Sequence, residues 1–257
     1  MPGPTLAELR AQGQPPAVID RLNDEHWAGR VYMRKVSPRA TWVFARLGWS
    51  PNAVTVAFIV CGVAAGVVVA FGGLGTALAA AVLIQAYLLF DCSDGELARW
   101  SKRTSAAGIY LDGIGHYLGE AALLTGLGVR AQGHLAVSGG YVSAGLAAAL
   151  LASIVKAETD NVTVARAKAG LPGRHEDEAL APRSGGLALA RRLASVLRVH
   201  RITQAVELSL LILVAAVVDA ARGGLTATRV LIIACLVVAA VMVLAHLAAI
   251  LASGRLW

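Results

Sequence analysis

Asp91, Asp94, Asp112 and His116 are the residues of this 257-residue chain whose types and spacing point to chemistry. Asp91, Asp94, Gly95 and Ala98 recur at i, i+3, i+4 and i+7, which is one face of a helix. Gly108, Asp112, His116 and Glu120 recur at four-residue steps, again one face. Only the short loop Arg99–Ala106 separates the two segments, so three carboxylates and an imidazole can converge at neighbouring helix ends. Three close carboxylates repel one another and protonate unless a cation compensates them. Oxygen ligands favour Mg²⁺, Mn²⁺ or Ca²⁺ over zinc. The competing readings are structural: Asp91 and Asp94 as helix-end residues beside Arg99, Asp112 in an ion pair, His116 as a hydrogen-bonded packing residue. Glu96 falls on another face, where a Lys or Arg partner is expected.

The elements that must carry these residues are set by composition. Hydrophobic residues make up 57% of the chain and charged residues 15%, well under the roughly 25% of an ordinary soluble domain. Mean hydropathy is +0.65. Disordered chains, coiled coils and soluble enzymes are excluded on these grounds. The apolar mass is Ala, Val and Leu with 27 Gly, which suits helices packed closely in lipid. Residues 1–30 contain no apolar run of the signal-peptide kind. Cys61, Cys92 and Cys235 are scattered through apolar runs and form neither a disulfide framework nor a zinc pattern.

The uncharged run Leu47–Phe90 is long enough for two crossings, with Gly72-Gly73-Leu74-Gly75 as the turn between them. Ala131–Val155 and Val230–Gly254 are further uncharged runs, and Ile202–Val218 is broken only by Glu207. With the stretch around Asp112, six spans are expected: 51–72, 75–98, 107–129, 135–157, 203–221 and 228–251. Of the 23 Lys and Arg, 20 then fall in the N-terminal segment, the loop after span two, the segment from Lys156 to Arg201, and the C-terminus. The positive-inside rule puts those parts in the cytoplasm. The net charge of +7 is therefore read as membrane orientation, with no nucleic-acid partner. The fold expected is an all-α integral membrane protein of six transmembrane helices preceded by a cytoplasmic interfacial amphipathic helix. That helix spans 28–47, where Arg and Lys alternate with Trp, Val and Leu. Ser50-Pro51 reads as the N-cap and first residue of span one. Residues 1–27 form a polar N-terminal segment containing Pro15-Pro16, and 28–257 the membrane catalytic domain. Gly185–His200 is a second short amphipathic candidate carrying Arg191, Arg192 and Arg198.

Asp91-Cys-Ser-Asp94-Gly95-Glu-Leu-Ala98-Arg99, then Gly108 and Asp112, resembles the signature D-x2-D-G-x2-A-R-x8-G-x3-D-x3-D of the CDP-alcohol phosphotransferase family. Seven of its eight fixed positions are present at the right spacing; the eighth, an aspartate in the family, is His116. Ser50-Pro51-Asn52-Ala-Val-Thr55 and Ala165-Arg166-Ala167-Lys168 are weaker likenesses. The resemblance runs over roughly residues 30–250. It implies a six-span core with a cytoplasmic site, a homodimer, a CDP-linked donor and an alcohol acceptor. It further implies Mg²⁺ or Mn²⁺ held by Asp91, Asp94 and Asp112, and small residues Gly95, Ala98 and Gly108 that let a nucleotide lie close. Arg99 is implied as a cation that organises the site or contacts phosphate.

The reaction so implied is attack of an alcohol oxygen on the β-phosphorus of the donor with release of CMP, within phospholipid or related envelope synthesis at a bacterial plasma membrane. His116, one turn beyond Asp112, is the expected base, its imidazole having an ordinary pKa of about 6.5. Glu120 is a candidate compensating carboxylate or orienter of that ring. Lys35, Arg39, Lys156 and Arg166 are candidate cations for an anionic substrate, against a reading in which they orient the chain and bind anionic lipids. Two other functions fit parts of the pattern. An intramembrane divalent-cation transporter accounts for the carboxylates but not for Gly95, Ala98 and Gly108. A non-catalytic CDP-binding relative accounts for the missing fourth aspartate.

Overall fold

Apolar runs of twenty residues and more can satisfy their backbone in lipid only as helices, and the chain obeys. The computed structural model describes residues 5–16, 27–171, 199–252 and 256, and among them every regular element is helical. We number the α-helices α1 Leu6–Gly13, α2 Arg34–Arg46, α3 Pro51–Ala70, α4 Leu74–Ser101, α5 Ala106–Gln132, α6 Gly140–Lys168, α7 Ala205–Arg222 and α8 Thr226–Ala252. A π-helical turn, Gly29–Met33, leads directly into α2, and a 3₁₀ turn, Val199–Thr203, precedes α7.

The boundaries follow local chemistry. The Ser50 hydroxyl accepts the Ala53 N–H at 3.2 Å and Pro51 opens α3, as the sequence suggests. Gly72 and Gly73 take positive φ in the turn between α3 and α4, where only glycine is unstrained. Ser105 caps α5 through the Gly108 N–H at 3.0 Å. At the far end, Asp219 accepts the N–H groups of Ala227 and Thr228 at 2.7 and 3.0 Å and closes the start of α8.

Helices α3, α4, α6 and α8 are long and apolar enough to cross a membrane. The other two expected spans form the long helices α5 and α7 but do not reach that standard by themselves. Asp112, His116, Glu120 and Arg130 dilute α5, and α7 has 18 residues that include Glu207, Asp219 and Arg222. The Gly185–His200 candidate lies, but for its last two residues, outside the described residues.

Helix α3 packs most extensively on α5 and α4; α6 lies on α5, α7 on α4, and α8 on α6 and α7. In lipid there is no hydrophobic drive between helices, so close van der Waals fit must hold them. Glycine provides the fit. A Cβ at Gly66 would overlap the backbone of Ala122, and one at Gly126 would overlap the Gly66 carbonyl. The backbones of α3 and α5 therefore touch, and that contact fixes α5 against the rest of the bundle. Around it Phe58, Val69, Ile84, Leu123, Leu124 and Leu127 are fully buried.

Helices α1 and α2 are part of the same body. Helix α1 starts with a reciprocal cap, in which the Thr5 hydroxyl accepts the Glu8 N–H at 3.2 Å and Glu8 Oε2 accepts the Thr5 N–H at 2.9 Å. It packs against α4 and α2. Helix α2 turns its small and polar residues Ser37, Pro38 and Thr41 inward, while Val36 and Val43 face outward. Lys35 and Arg39 are exposed as these valines are.

Candidate active site

Four-residue spacing along α5 and the i, i+3, i+4, i+7 spacing along α4 bring the expected residues to one place. A cavity of about 560 Å³ is lined by Asp91, Asp94, Gly95, Ala98 and Arg99 of α4, Gly108 and Asp112 of α5, and Asn52 and Thr55 of α3. Every expected metal and nucleotide residue lines it. Arg34 and Arg103 add two further cations at its walls.

His116 lies beside the carboxylates, with Nε2 at 3.3 Å from Asp91 Oδ1 and 3.7 Å from Asp112 Oδ1. One ligand atom from each of Asp91, Asp112 and His116 falls within 4.8 Å of the others, a cluster that could bind a metal ion. Two carboxylates with one imidazole accept Mg²⁺ and suit Mn²⁺ better, so the donor set fits a divalent cation. Asp94 is buried on the neighbouring turn, where Thr55 Oγ1 donates to its Oδ2 at 2.7 Å. That bond fixes one oxygen of Asp94, which is not part of the cluster of Asp91, Asp112 and His116.

The other side of the imidazole is also held. Tyr87 Oη lies 2.9 Å from His116 Nδ1, and the Phe58 ring meets the imidazole edge-on at 5.2 Å. The Tyr87 ring fits because Gly62 and Gly119 leave room for it: a Cβ at either would come within 2.9 Å of it. With Nδ1 engaged by a hydroxyl, Nε2 is the atom turned to the carboxylates. Glu120, a candidate compensating carboxylate or orienter of the ring, faces Lys156 Nζ at 3.0 Å, and it is Tyr87 that meets the ring.

Gly108 does more than admit a ligand. A Cβ there would stand 2.9 Å from Asn52 Oδ1, so the glycine also lets the amide of α3 reach the cavity. Among the candidate cations, Lys35 and Arg39 are exposed and do not line the cavity, whereas Arg34, one residue earlier, does. On a helix a shift of one residue turns the side chain by about 100°, which separates the two. Arg166 is buried and is not among the cavity residues. Sequence reasoning passed over Tyr87, Arg34 and Arg103. Thr55 and Asn52 had a signal in the Pro51-Asn52-x-x-Thr55 stretch, which places both on the inward face of α3 one turn apart.

The sequence pattern of the CDP-alcohol phosphatidyltransferase family matches residues 49–254, which is most of the chain. The chain belongs to this family. It is therefore a transferase of substituted phosphate groups and an integral membrane protein, and its substrates are a CDP-alcohol donor and an alcohol acceptor. No curated protein matches the sequence. The matched stretch begins just before α3, so α1, the π turn and α2 stand ahead of it.

Proposed function

We propose that the chain moves a phosphatidyl or head-group phosphate from a CDP-linked donor to an alcohol in phospholipid or related envelope synthesis, with release of CMP. The observation that carries this reading is a single cavity that combines Asp91, Asp94 and Asp112 with Gly95, Ala98 and Gly108. The carboxylates suit a cation-bound diphosphate, and the small residues suit a nucleotide lying flat against two helices. Mg²⁺ or Mn²⁺ held by Asp91, Asp94 and Asp112 would neutralise charge on the diphosphate and on the departing CMP. Arg99, Arg103 and Arg34 meet the remaining phosphate charge from the cavity wall.

His116 accepts the proton of the attacking hydroxyl at Nε2. As the new O–P bond forms at the β-phosphorus, the bond from that phosphorus to the bridging oxygen breaks, and its electron pair leaves with CMP. Tyr87 keeps the ring facing the carboxylates through Nδ1. A second reading is favoured by the 4.8 Å cluster, in which His116 Nε2 is itself a metal ligand in place of the fourth aspartate. His116→Ala separates the two. A base gives a large loss of kcat with Mn²⁺ affinity kept, whereas a ligand gives a loss of Mn²⁺ affinity.

The same reading includes six spans, a homodimer, and both termini with the site on the cytoplasmic side of a bacterial plasma membrane. The span count and orientation are supported by the six long helices and by the sequence, in which 20 of the 23 Lys and Arg belong to the segments that six spans put on one side. The deciding experiment is incubation of the purified protein and Mg²⁺ or Mn²⁺ with a panel of CDP donors and alcohol acceptors, following CMP release. CDP binding with no CMP from any pair overturns the catalytic reading.

A further inference from the structure

Glu96 lies on the opposite side of α4 from the site carboxylates and is 1% exposed. Its Oε1 accepts Gln14 Nε2 at 2.8 Å and Ser37 Oγ at 2.5 Å, and its Oε2 accepts Thr41 Oγ1 at 2.7 Å. Arg34 Nη1 stands 3.7 Å from Oε1. One carboxylate thus ties together α1, α2 and α4. The tie has a second strand. Pro38 has no N–H to give the Arg34 carbonyl, and Gln14 Nε2 donates to that carbonyl at 2.8 Å. At the same end of α1, the Gly13 carbonyl accepts Arg99 Nε at 2.7 Å. Gly13 lies so close to α4 that a Cβ there would stand 3.2 Å from Glu96 Cβ.

Arg99 and Arg34 are both cavity residues. The bond from Arg99 Nε to Gly13 turns the outer edge of the guanidinium over Gly95, where a Cβ would come within 3.0 Å of Nη1. A guanidinium on a helix end ordinarily samples many rotamers, and fixing it beforehand removes that ordering from the binding step. We infer that α1 is a positioning strap for the donor's diphosphate: the Gly13 carbonyl and the Glu96 carboxylate hold Arg99 and Arg34 against the cavity. Glu96, Gln14 and Gly13 touch no substrate and act through the two arginines. The inference rests on the reading of the cavity as a CDP-donor site.

The test is a double-mutant cycle on the full chain, read as CDP affinity in the presence of Mg²⁺ and as KM and kcat for an accepted CDP donor. Gly13→Leu, which pushes α1 from α4, is expected to weaken CDP binding and raise donor KM about tenfold, the scale of one charge-assisted hydrogen bond. The kcat should change little. In a background carrying both Arg99→Ala and Arg34→Ala the same substitution should have no further effect on either. Gln14→Ala, which leaves helix packing in place, should move affinity in the same direction and serves if Gly13→Leu fails to fold. Unchanged CDP affinity in Gln14→Ala and Gly13→Leu, or an equal loss with and without the two arginines, overturns the strap while leaving the donor site standing. No CDP binding by the unaltered protein overturns the donor site itself, and the strap with it.

Discussion

The imidazole of His116 has two engaged faces, a hydroxyl behind and two carboxylates ahead, and each can be altered separately. Tyr87→Phe removes only the Nδ1 partner. It is expected to lower kcat about tenfold or more, as loss of an outer orienting group does, with CDP affinity kept; steady-state kinetics beside equilibrium binding would check this. His116→Asp restores the fourth carboxylate of the family pattern and should keep substantial CMP release, whereas His116→Ala should lose most of it. Asp94→Asn and Asp112→Asn should each abolish turnover in a protein that still inserts and purifies normally. Turnover near the unaltered level in either variant would remove the carboxylate concerned from the mechanism. Thr55→Val leaves the shape of its site nearly unchanged but frees Asp94 Oδ2, so Mn²⁺ affinity, read by electron paramagnetic resonance, should fall without loss of thermal stability.

Helices α3, α4 and α5 define the site because glycine lets them meet. Gly66→Leu would drive a side chain into the Ala122 backbone. The expected outcome is loss of the folded, monodisperse protein in detergent, well beyond the effect of an exposed change such as Val67→Ala. Gly108→Leu should behave differently. Its neighbour is the end of the Asn52 side chain, which can move aside, so CDP affinity should fall more than melting temperature does. Much of this scale was legible in advance. The Ser50-Pro51 cap, the glycine turn at 72–75 and the facing of Asp91, Asp94, Gly95 and Ala98 all follow from local rules that need no partner helix. Residues whose role depends on a distant partner were not. Glu96 has the basic neighbour expected of it in Arg34, but its bond to Gln14, 82 residues away, and that of Tyr87 to His116, 29 residues away, leave no periodic trace. Glu120 has the right spacing to face His116 but finds Lys156 on α6, a choice made by packing between helices.

At the scale of the whole molecule, the described residues divide into a polar end and an apolar body. Asp91, Asp94, Asp112, Arg34, Arg99 and Arg103 gather at one end of α3, α4 and α5, while Val60, Val67, Val82, Val237 and Val241 stand exposed along the bundle sides. If that end is cytoplasmic, single cysteines introduced at Lys102 and at His134, in a background lacking the three native cysteines, should differ in reach. A membrane-impermeant thiol reagent added outside intact cells should label position 134 and spare position 102. The reverse pattern would invert the topology.

The order in which the chain is made gives the buried carboxylate of Glu96 a further consequence. Gln14, Arg34, Ser37 and Thr41, its four partners, all leave the ribosome before α4 does, and N-terminal parts of a chain organise first during synthesis. The donors that Glu96 of α4 needs are therefore already synthesised when α4 emerges. A carboxylate buried without partners would be costly. Synthesis from the N-terminus thus makes the partners of Glu96 before Glu96 itself, and Asp112 and His116 of α5 after both.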